Sequence, residues 1–295
     1  MGVHVLDVLV RPVDALPEGQ GELVEQIRIT AAGTAGGTAL TLAKLGASVQ
    51  SAGAIGTDEV GGMLVRLLER GGVDVSQLVR RDDVQTSASV LPIRSDGDRP
   101  ALHVVGANAS YGPDDVDWDA VGAADHLHLG GPEFMGGEAA ARILGEARER
   151  GIGTSMDVLA PGDPGLLEWI GAALPLTDHL LPNDEQVRGF TGLDDPEAGA
   201  RALLARGVGC VAATRGAEGA LVVDADGATA VPAFDVDVVD TTGCGDAFSA
   251  GFLRGLSVGR THPDCARLGC AAAALVAQGL GSDHGDFDLE AADRL

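Results

Sequence analysis

Between residues 240 and 246 the chain reads Asp-Thr-Thr-Gly-Cys-Gly-Asp, and the segment that follows, Ala247 to Leu256, carries a helical pattern. Two glycines around one small residue at a helix start let the amides of Gly243, Cys244 and Gly245 point outward as an anion-binding nest, strengthened by the helix dipole. Such a nest suits a phosphoryl group in transit. Asp246, in the first turn of the helix, is then placed to accept the proton of an attacking hydroxyl. Taken alone, Gly-x-Gly-Asp reads equally well as a turn with an N-capping acid, so the segment needs its context.

The elements that must position it alternate short apolar runs with amphipathic helices, the pattern of parallel strands joined by helical crossovers. The clearest helix spans about Asp58 to Arg70: Val60, Met63, Leu64, Leu67 and Leu68 share one face, Asp58 caps the start and Gly71 ends it. Similar patterns fall near 138–150, 196–206 and 262–278. Ser48 to Ile55, His126 to Leu129, Gly153 to Asp157, His179 to Leu181 and Cys210 to Thr214 read as buried strands. Two stretches break the rhythm. Ser87 to Arg94 and Ala101 to Val105 flank Ser95-Asp96-Gly97-Asp98 and read as a hairpin. Val8 to Thr30 is extended without helical pattern. Together they build either a small antiparallel lid, over about 8–31 and 84–108, or an ordinary edge hairpin.

Composition narrows the function classes. At 295 residues, 45% hydrophobic and 22% charged, the chain buries a core and is read as one domain, 1–295. A net charge of −24 argues against nucleic acid or an anionic membrane as partner. No apolar run reaches the roughly 18 to 20 residues of a membrane span, and no leader pattern opens the chain, so a cytoplasmic protein is expected. The four cysteines lack CxxC spacing and are read as reduced thiols; no His/Cys cluster has metal-ligand spacing, so no structural zinc is expected. Lys44 is the only lysine and stands outside any GxxxxGK[ST] loop, which excludes a Walker-type nucleotide site. Gly207-Val208-Gly209-Cys210-Val211-Ala212 imitates a dinucleotide fingerprint, but it enters a strand instead of leaving one.

The heptapeptide 240–246 resembles the DTxGAGD signature of the ribokinase-like, or PfkB, carbohydrate kinases. The resemblance implies a three-layer α/β sandwich with a mostly parallel central sheet and a small antiparallel β lid. It makes Asp246 the catalytic base and the amides of Gly243, Cys244 and Gly245 the anion hole. It also implies a monovalent cation, K+, beside Asp240 and Thr242. Cys244 replaces the usual alanine; a small thiol is tolerated where the amide does the work, and a reactive cysteine lowered by the helix terminus is the alternative.

Further matches follow in chain order. Pro182-Asn183 and the helix after it look like the family's PN-x-x-E element, with Asn183 toward the nucleotide phosphates or simply capping the helix. The metal-organising glutamate is Gln186 here, which leaves Glu185 or Asp184 to substitute in control of Mg2+. Thr214-Arg215-Gly216-Ala217-Glu218-Gly219 is similar to a loop lining the ATP site, giving Thr214, Gly216 and Gly219. Cys270 falls on a position near the nucleotide base and Gly281 on the cation turn. On the sugar side, Gly33 to Thr38 resembles the GG-x-x-x-N loop, with Gly37 where asparagine is expected. Asp7 matches an aspartate gripping sugar hydroxyls, or is a solvent-facing acid. Gly106-Ala107-Asn108-Ala109 resembles a segment after the lid, and Gly130 replaces a further glutamate. His103 and His128 lie in strands and are read as ordinary core or surface histidines ahead of substrate ligands.

The resemblance thus implies an ATP- and Mg2+-dependent sugar kinase, homodimeric by analogy. A phosphorylated sugar needs a cationic clamp that only arginines such as Arg11, Arg94 or Arg99 can supply, so a neutral sugar is favoured. A nucleoside is the second reading, disfavoured by an aromatic content of 3%. The departures at Gly37, Gly130 and Gln186 leave a non-catalytic sugar-sensing homologue as the rival from another class.

Overall fold

A computed structural model describes every residue except 16–18, 20, 22 and 96–98. The tip of the expected hairpin, Asp96 to Asp98, and part of the 8–31 segment therefore lie outside the described residues. The strands are β1 (Val5–Arg11), β2 (Gln26–Ala32), β3 (Gln50–Gly56), β4 (Asp74–Arg81), β5 (Ala88–Pro92), β6 (Leu102–Val104), β7 (His126–Gly130), β8 (Gly153–Asp157), β9 (His179–Leu180), β10 (Cys210–Thr214), β11 (Ala220–Asp224) and β12 (Gly227–Val231). The helices are α1 (Gly36–Lys44), α2 (Glu59–Arg70), α3 (Trp118–Val121), α4 (Gly137–Glu149), α5 (Pro164–Trp169), α6 (Asp184–Thr191), α7 (Pro196–Leu204), α8 (Cys244–Ser257), α9 (His262–Ala277) and α10 (Leu289–Asp293).

The largest sheet has the order β12-β11-β10-β9-β8-β7, with β7 to β10 parallel and β10 to β12 antiparallel. Side chains alternate across it. Val211, Ala213, Leu221 and Val223 join Ile143, Leu144 and Leu203 on one face, while Ala212, Ala220 and Val222 join Phe248 and Phe252 on the other. The parallel pair β3-β4 is tied to this sheet by residues 2 and 3, whose amides donate to Ala52 O (2.8 Å) and Gly130 O (3.0 Å). Helix α2 forms as its spacing predicts. Asp58 caps it by accepting from Gly61 N at 2.8 Å, a bond of about 1 kcal/mol, and also accepts from Thr86 N and Oγ1, fastening the helix start to the approach of β5.

The lid is a four-stranded sheet in the order β2-β1-β5-β6. Its outer pairings, β1–β2 and β5–β6, are antiparallel as expected, while β1 and β5 run parallel, joined through β2 and the α1-β3-α2-β4 excursion. Register sorts its residues cleanly. Ile27, Ile29, Val90, Leu102 and Val104 share one face and are exposed, whereas Asp7, Thr30, Ser89 and His103 share the other.

Candidate active site

Helix α8 begins at Gly243, whose φ of 78° is the left-handed conformation that admits glycine without strain. The turn is also closely packed: a Cβ on Gly243 would meet Ser282 Cα and Cβ. Asp246 follows in the first turn. The amides of Gly243 and Gly245 have no intramolecular acceptor among the described residues, but Cys244 N donates to Thr241 O at 3.2 Å. The expected three-amide nest is therefore narrower than the motif implies, with the Cys244 amide engaged in closing its own turn. The reactive-cysteine alternative also fails on electrostatics. Burial pushes the Cys244 thiol up to about 12, outweighing the helix terminus.

Asp246 does not stand alone. Burial raises its carboxyl well above the ordinary range, and the neighbouring Asp157 and Asp7 raise it further. Asp157 ends β8, is 7% exposed, accepts from Ser249 Oγ at 3.1 Å and is pushed by burial to about 7. Asp7, on the polar face of the lid, is pushed by burial to about 6 against the opposing effect of the Ser89 hydroxyl. Sequence reading missed Asp157; its one signal was an acid closing a buried parallel strand. Glu133 is a second missed acid. Its Oε1 accepts from Leu159 N and Ala160 N at 2.8 Å each, and its Oε2 is buried without a partner among the described residues.

Arg99 reaches this acidic group from the lid side. Its Nη1 donates to Thr242 Oγ1 at 3.0 Å, and its charge lowers Asp7, Cys244 and Asp246. His103 is on the same face, its Nδ1 2.9 Å from Ser89 Oγ, while His128 is buried against Ser155 Oγ, also at 2.9 Å.

The glycine-rich approach to α1 serves Asp246 directly. A Cβ on Gly37 would collide with the Asp246 carboxylate, so the absent asparagine has a physical reason: the base occupies that space. Gly33, at φ 87°, comes close to the Val3 carbonyl instead of opening onto the cleft. Asn108 also departs from its expected role. Its Oδ1 accepts from His4 N (3.1 Å) and its Nδ2 donates to His4 O (3.0 Å), so the amide braces the chain ahead of β1.

On the nucleotide side, Asn183 and Thr214 meet through a parallel bridge that brings the ends of β9 and β10 together. Asn183 Oδ1 caps α6 by accepting from Gln186 N at 2.7 Å. The Gln186 amide is taken up by loop backbone. Its Oε1 accepts from Asn183 N and its Nε2 donates to Val158 O (2.8 Å) and Ala160 O (3.0 Å), clipping two loops together, while Glu185 stands exposed on α6. Gly216 (φ 54°) and Gly219 (φ 91°) bound a short 3-10 turn closed by the Arg215–Glu218 ion pair. Cys270 is buried in α9 in the cluster that holds Ala212, Val222 and Phe248, a packing position.

The cation turn is similarly occupied by protein groups. Asp240 Oδ1 accepts from Thr242 N (3.0 Å) and Oγ1 (2.8 Å), its Oδ2 accepts from Gly281 N (2.9 Å), and Thr242 Oγ1 receives Arg99. Both Asp240 oxygens and the Thr242 hydroxyl thus already hold protein donors. Next to this turn the only lysine, Lys44, donates to the carbonyls of Asp283, His284 and Gly285 at 2.7 to 2.8 Å, fixing the loop to the end of α1.

A general-base candidate at a helix N-terminus, facing a lid with a polar inner surface, defines a phosphotransferase with a hydroxyl acceptor. The chain belongs to the pfkB family of carbohydrate kinases, which matches residues 3–287. An ATP-dependent ribose-1-phosphate kinase of Halopiger xanaduensis is 35% identical over 84% of this chain and 80% of its own length. A putative ribokinase from Agrobacterium tumefaciens superposes with a TM-score of 0.87 at 24% identity, covering 99% of this chain and 94% of that one. A putative ribokinase II from E. coli, solved in complex with ATP and Mg2+, superposes with a TM-score of 0.86 at 20% identity, covering 99% and 96%. No helix among the described residues is long and apolar enough to cross a membrane.

Proposed function

We propose that this protein moves the γ-phosphate of ATP onto a hydroxyl of a small sugar, with Asp246 as the base. The observation that carries the reading is Asp246 in the first turn of α8, flanked by the open amides of Gly243 and Gly245 and facing Asp7 on the lid. With sugar under the lid, Asp7 orients its hydroxyls. The acceptor O–H breaks toward the Asp246 carboxylate, the new O–P bond forms, and the bond to the ADP oxygen breaks, with the two amides receiving charge on the phosphoryl group. Lid closure excludes water and so suppresses hydrolysis. Asn183, Thr214, Gly216 and Gly219 line the nucleotide side. Glu133 and Asp157 would be the acids to hold the water shell of a Mg2+ ion bound with ATP, which would supply charge neutralisation on the phosphates.

Arg99 changes the preferred acceptor. The sequence favours a neutral sugar because only arginines such as Arg11, Arg94 or Arg99 could clamp a phosphate, yet one of them, Arg99, stands beside Thr242 within the field of Asp7 and Asp246. Together with the relative named for ribose 1-phosphate, this favours a sugar that already carries a phosphate. The exposed apolar face of Ile27, Ile29, Val90, Leu102 and Val104 supports a homodimer built through the lids, and we place the enzyme in the cytoplasm.

The test is ADP release from Mg-ATP against neutral sugars, sugar phosphates, nucleosides and sugar acids, with and without potassium. Stimulation by a sugar phosphate without a potassium requirement is expected. Stimulation by a neutral sugar alone would return the acceptor to the unphosphorylated class. Silence across the panel with ATP still bound would replace catalysis by a sugar-sensing role.

A further inference from the structure

Four ionisable side chains gather far from Asp246, at the opposite end of the largest sheet. His179 and Cys210 are the first residues of β9 and β10, Asp224 is the last residue of the antiparallel β11, and His262 opens α9. We propose that Cys210, Asp224 and His262 form a binding site for one borderline-soft divalent transition metal, of which Zn2+ is the type. The site is independent of the kinase reading.

Three observations carry it. First, one donor atom from each of the three residues can be chosen so that all lie within 4.8 Å of one another, close enough for one ion to be shared. Second, the imidazole is already oriented. His262 Nδ1 lies 2.6 Å from Asp224 Oδ2, and its Nε2 lies 3.3 Å from His179 Nε2. Coordination through Nδ1 displaces the proton that Nδ1 shares with Asp224, and the ring then carries its proton on Nε2, donating to His179, the outer hydrogen bond that fixes tautomer and ring plane at metal-bound histidines. Third, a surface cleft of about 420 Å³ lined by Asp224, Asp226, Thr261 and His262 opens onto two of the three ligands, with Cys210 buried behind them, giving an ion access and leaving room for water as a fourth ligand. Arg260 also lines that cleft, but its guanidinium is held by Asp293 through two bonds of 2.7 Å.

The donor set selects the metal. One sulfur, one nitrogen and one oxygen suit Zn2+ or Co2+, whereas Mg2+ and Ca2+ take oxygen ligands. Cys210 is 1% exposed, and burial pushes its thiol up to about 12. It binds as thiolate, so the S–H bond breaks, the S–metal bond forms and the proton leaves to solvent. The positions 210, 224 and 262 match no sequence spacing for a metal site, because the ligands converge through strand register and not along a local loop.

The experiment uses the full-length protein stripped with chelator and titrated with Co2+. One Co2+ per chain is expected, with a near-ultraviolet thiolate-to-metal charge-transfer band and the intense visible absorption of a tetrahedral site. Cys210→Ser should abolish the charge-transfer band and Cys270→Ser should retain it. In competition with a chromophoric chelator, Zn2+ affinity should fall at least 10-fold in Asp224→Asn, which keeps the shape of the site and guards against a folding defect in the cysteine variant. Absence of the band in the wild type, its survival in Cys210→Ser, or unchanged Zn2+ affinity in Asp224→Asn would overturn the proposal.

Discussion

Where the central parallel strands point toward Asp246, β8 and β10 end in Asp157 and Thr214 and β9 leads into Asn183; where they begin, β7, β9 and β10 carry His126, His179 and Cys210. One end presents oxygen alone, and the other adds imidazole and sulfur to the Asp224 carboxylate. Burial acts on both in the same sense, against charge. It raises Asp157 to about 7 and Asp246 well above the ordinary range, and it lowers His126 and His179 to about 4. The consequences differ. Buried carboxylates crowded together bind protons or demand cations, which suits a base and the metal that accompanies ATP. Neutral imidazoles and a thiol hold lone pairs without charge, which suits a soft ion. A single sheet thus separates hard and soft chemistry by strand direction.

The comparison breaks first at Asp246. Asp246→Asn is expected to lower kcat by about 10³-fold while the Kd for ATP stays within about 2-fold, measured by single-turnover ADP formation and nucleotide titration. Full turnover in this variant would remove the base from the acidic end. Arg99→Met should raise KM for a phosphorylated acceptor by about 10- to 100-fold with a smaller change in kcat, since loss of a charge-assisted contact costs about 1.5 to 3 kcal/mol. An unchanged KM would return Arg99 to the role of neutralising its acidic neighbours.

Asp157→Asn sharpens the contrast through pH. Removing that negative neighbour lowers the Asp246 carboxyl, so the acidic limb of the kcat/KM profile should move down by about 1 pH unit. Stability moves with the same group. Asp157 has a higher pKa folded than unfolded, so the folded state holds the extra proton. Its contribution is full below the unfolded value and is lost as pH rises toward about 7. Between pH 5 and 8 the Tm of the substrate-free wild type should therefore fall relative to Asp157→Asn, by thermal melts across that range. A parallel pair of curves would show that Asp157 is not protonated in the folded state. The smallest effect is expected at Lys44. Lys44→Met leaves three carbonyls without their donor and should cost about 2 kcal/mol in chemical denaturation, with kcat reduced less than 5-fold.

The departures from expectation share a physical pattern. Gln186 and Asn108 are polar side chains at motif positions, and both amides are engaged by backbone groups of neighbouring loops. A motif gives residue type and order, but not whether a loop 26 or more residues away has already taken the hydrogen bonds. Asp157 was missed for the complementary reason, since an acid ending a strand gains its meaning only when a second acid is folded against it.

Local pattern was sufficient for what is local. Apolar spacing in α2 with its Asp58 cap, the parallel strands from β7 to β10, and the helix start at Gly243 with Asp246 one turn in are short-range consequences of backbone geometry and residue type. Tertiary structure alone decided the parallel β1–β5 pairing, the collision that reserves Gly37 for the Asp246 carboxylate, the placement of Arg99 at Thr242, and the meeting of Cys210, Asp224 and His262. Each of these depends on strands and loops distant in sequence. Their shared environment sets the protonation, reach and partners of every side chain there, and it exists only once the sheet has formed.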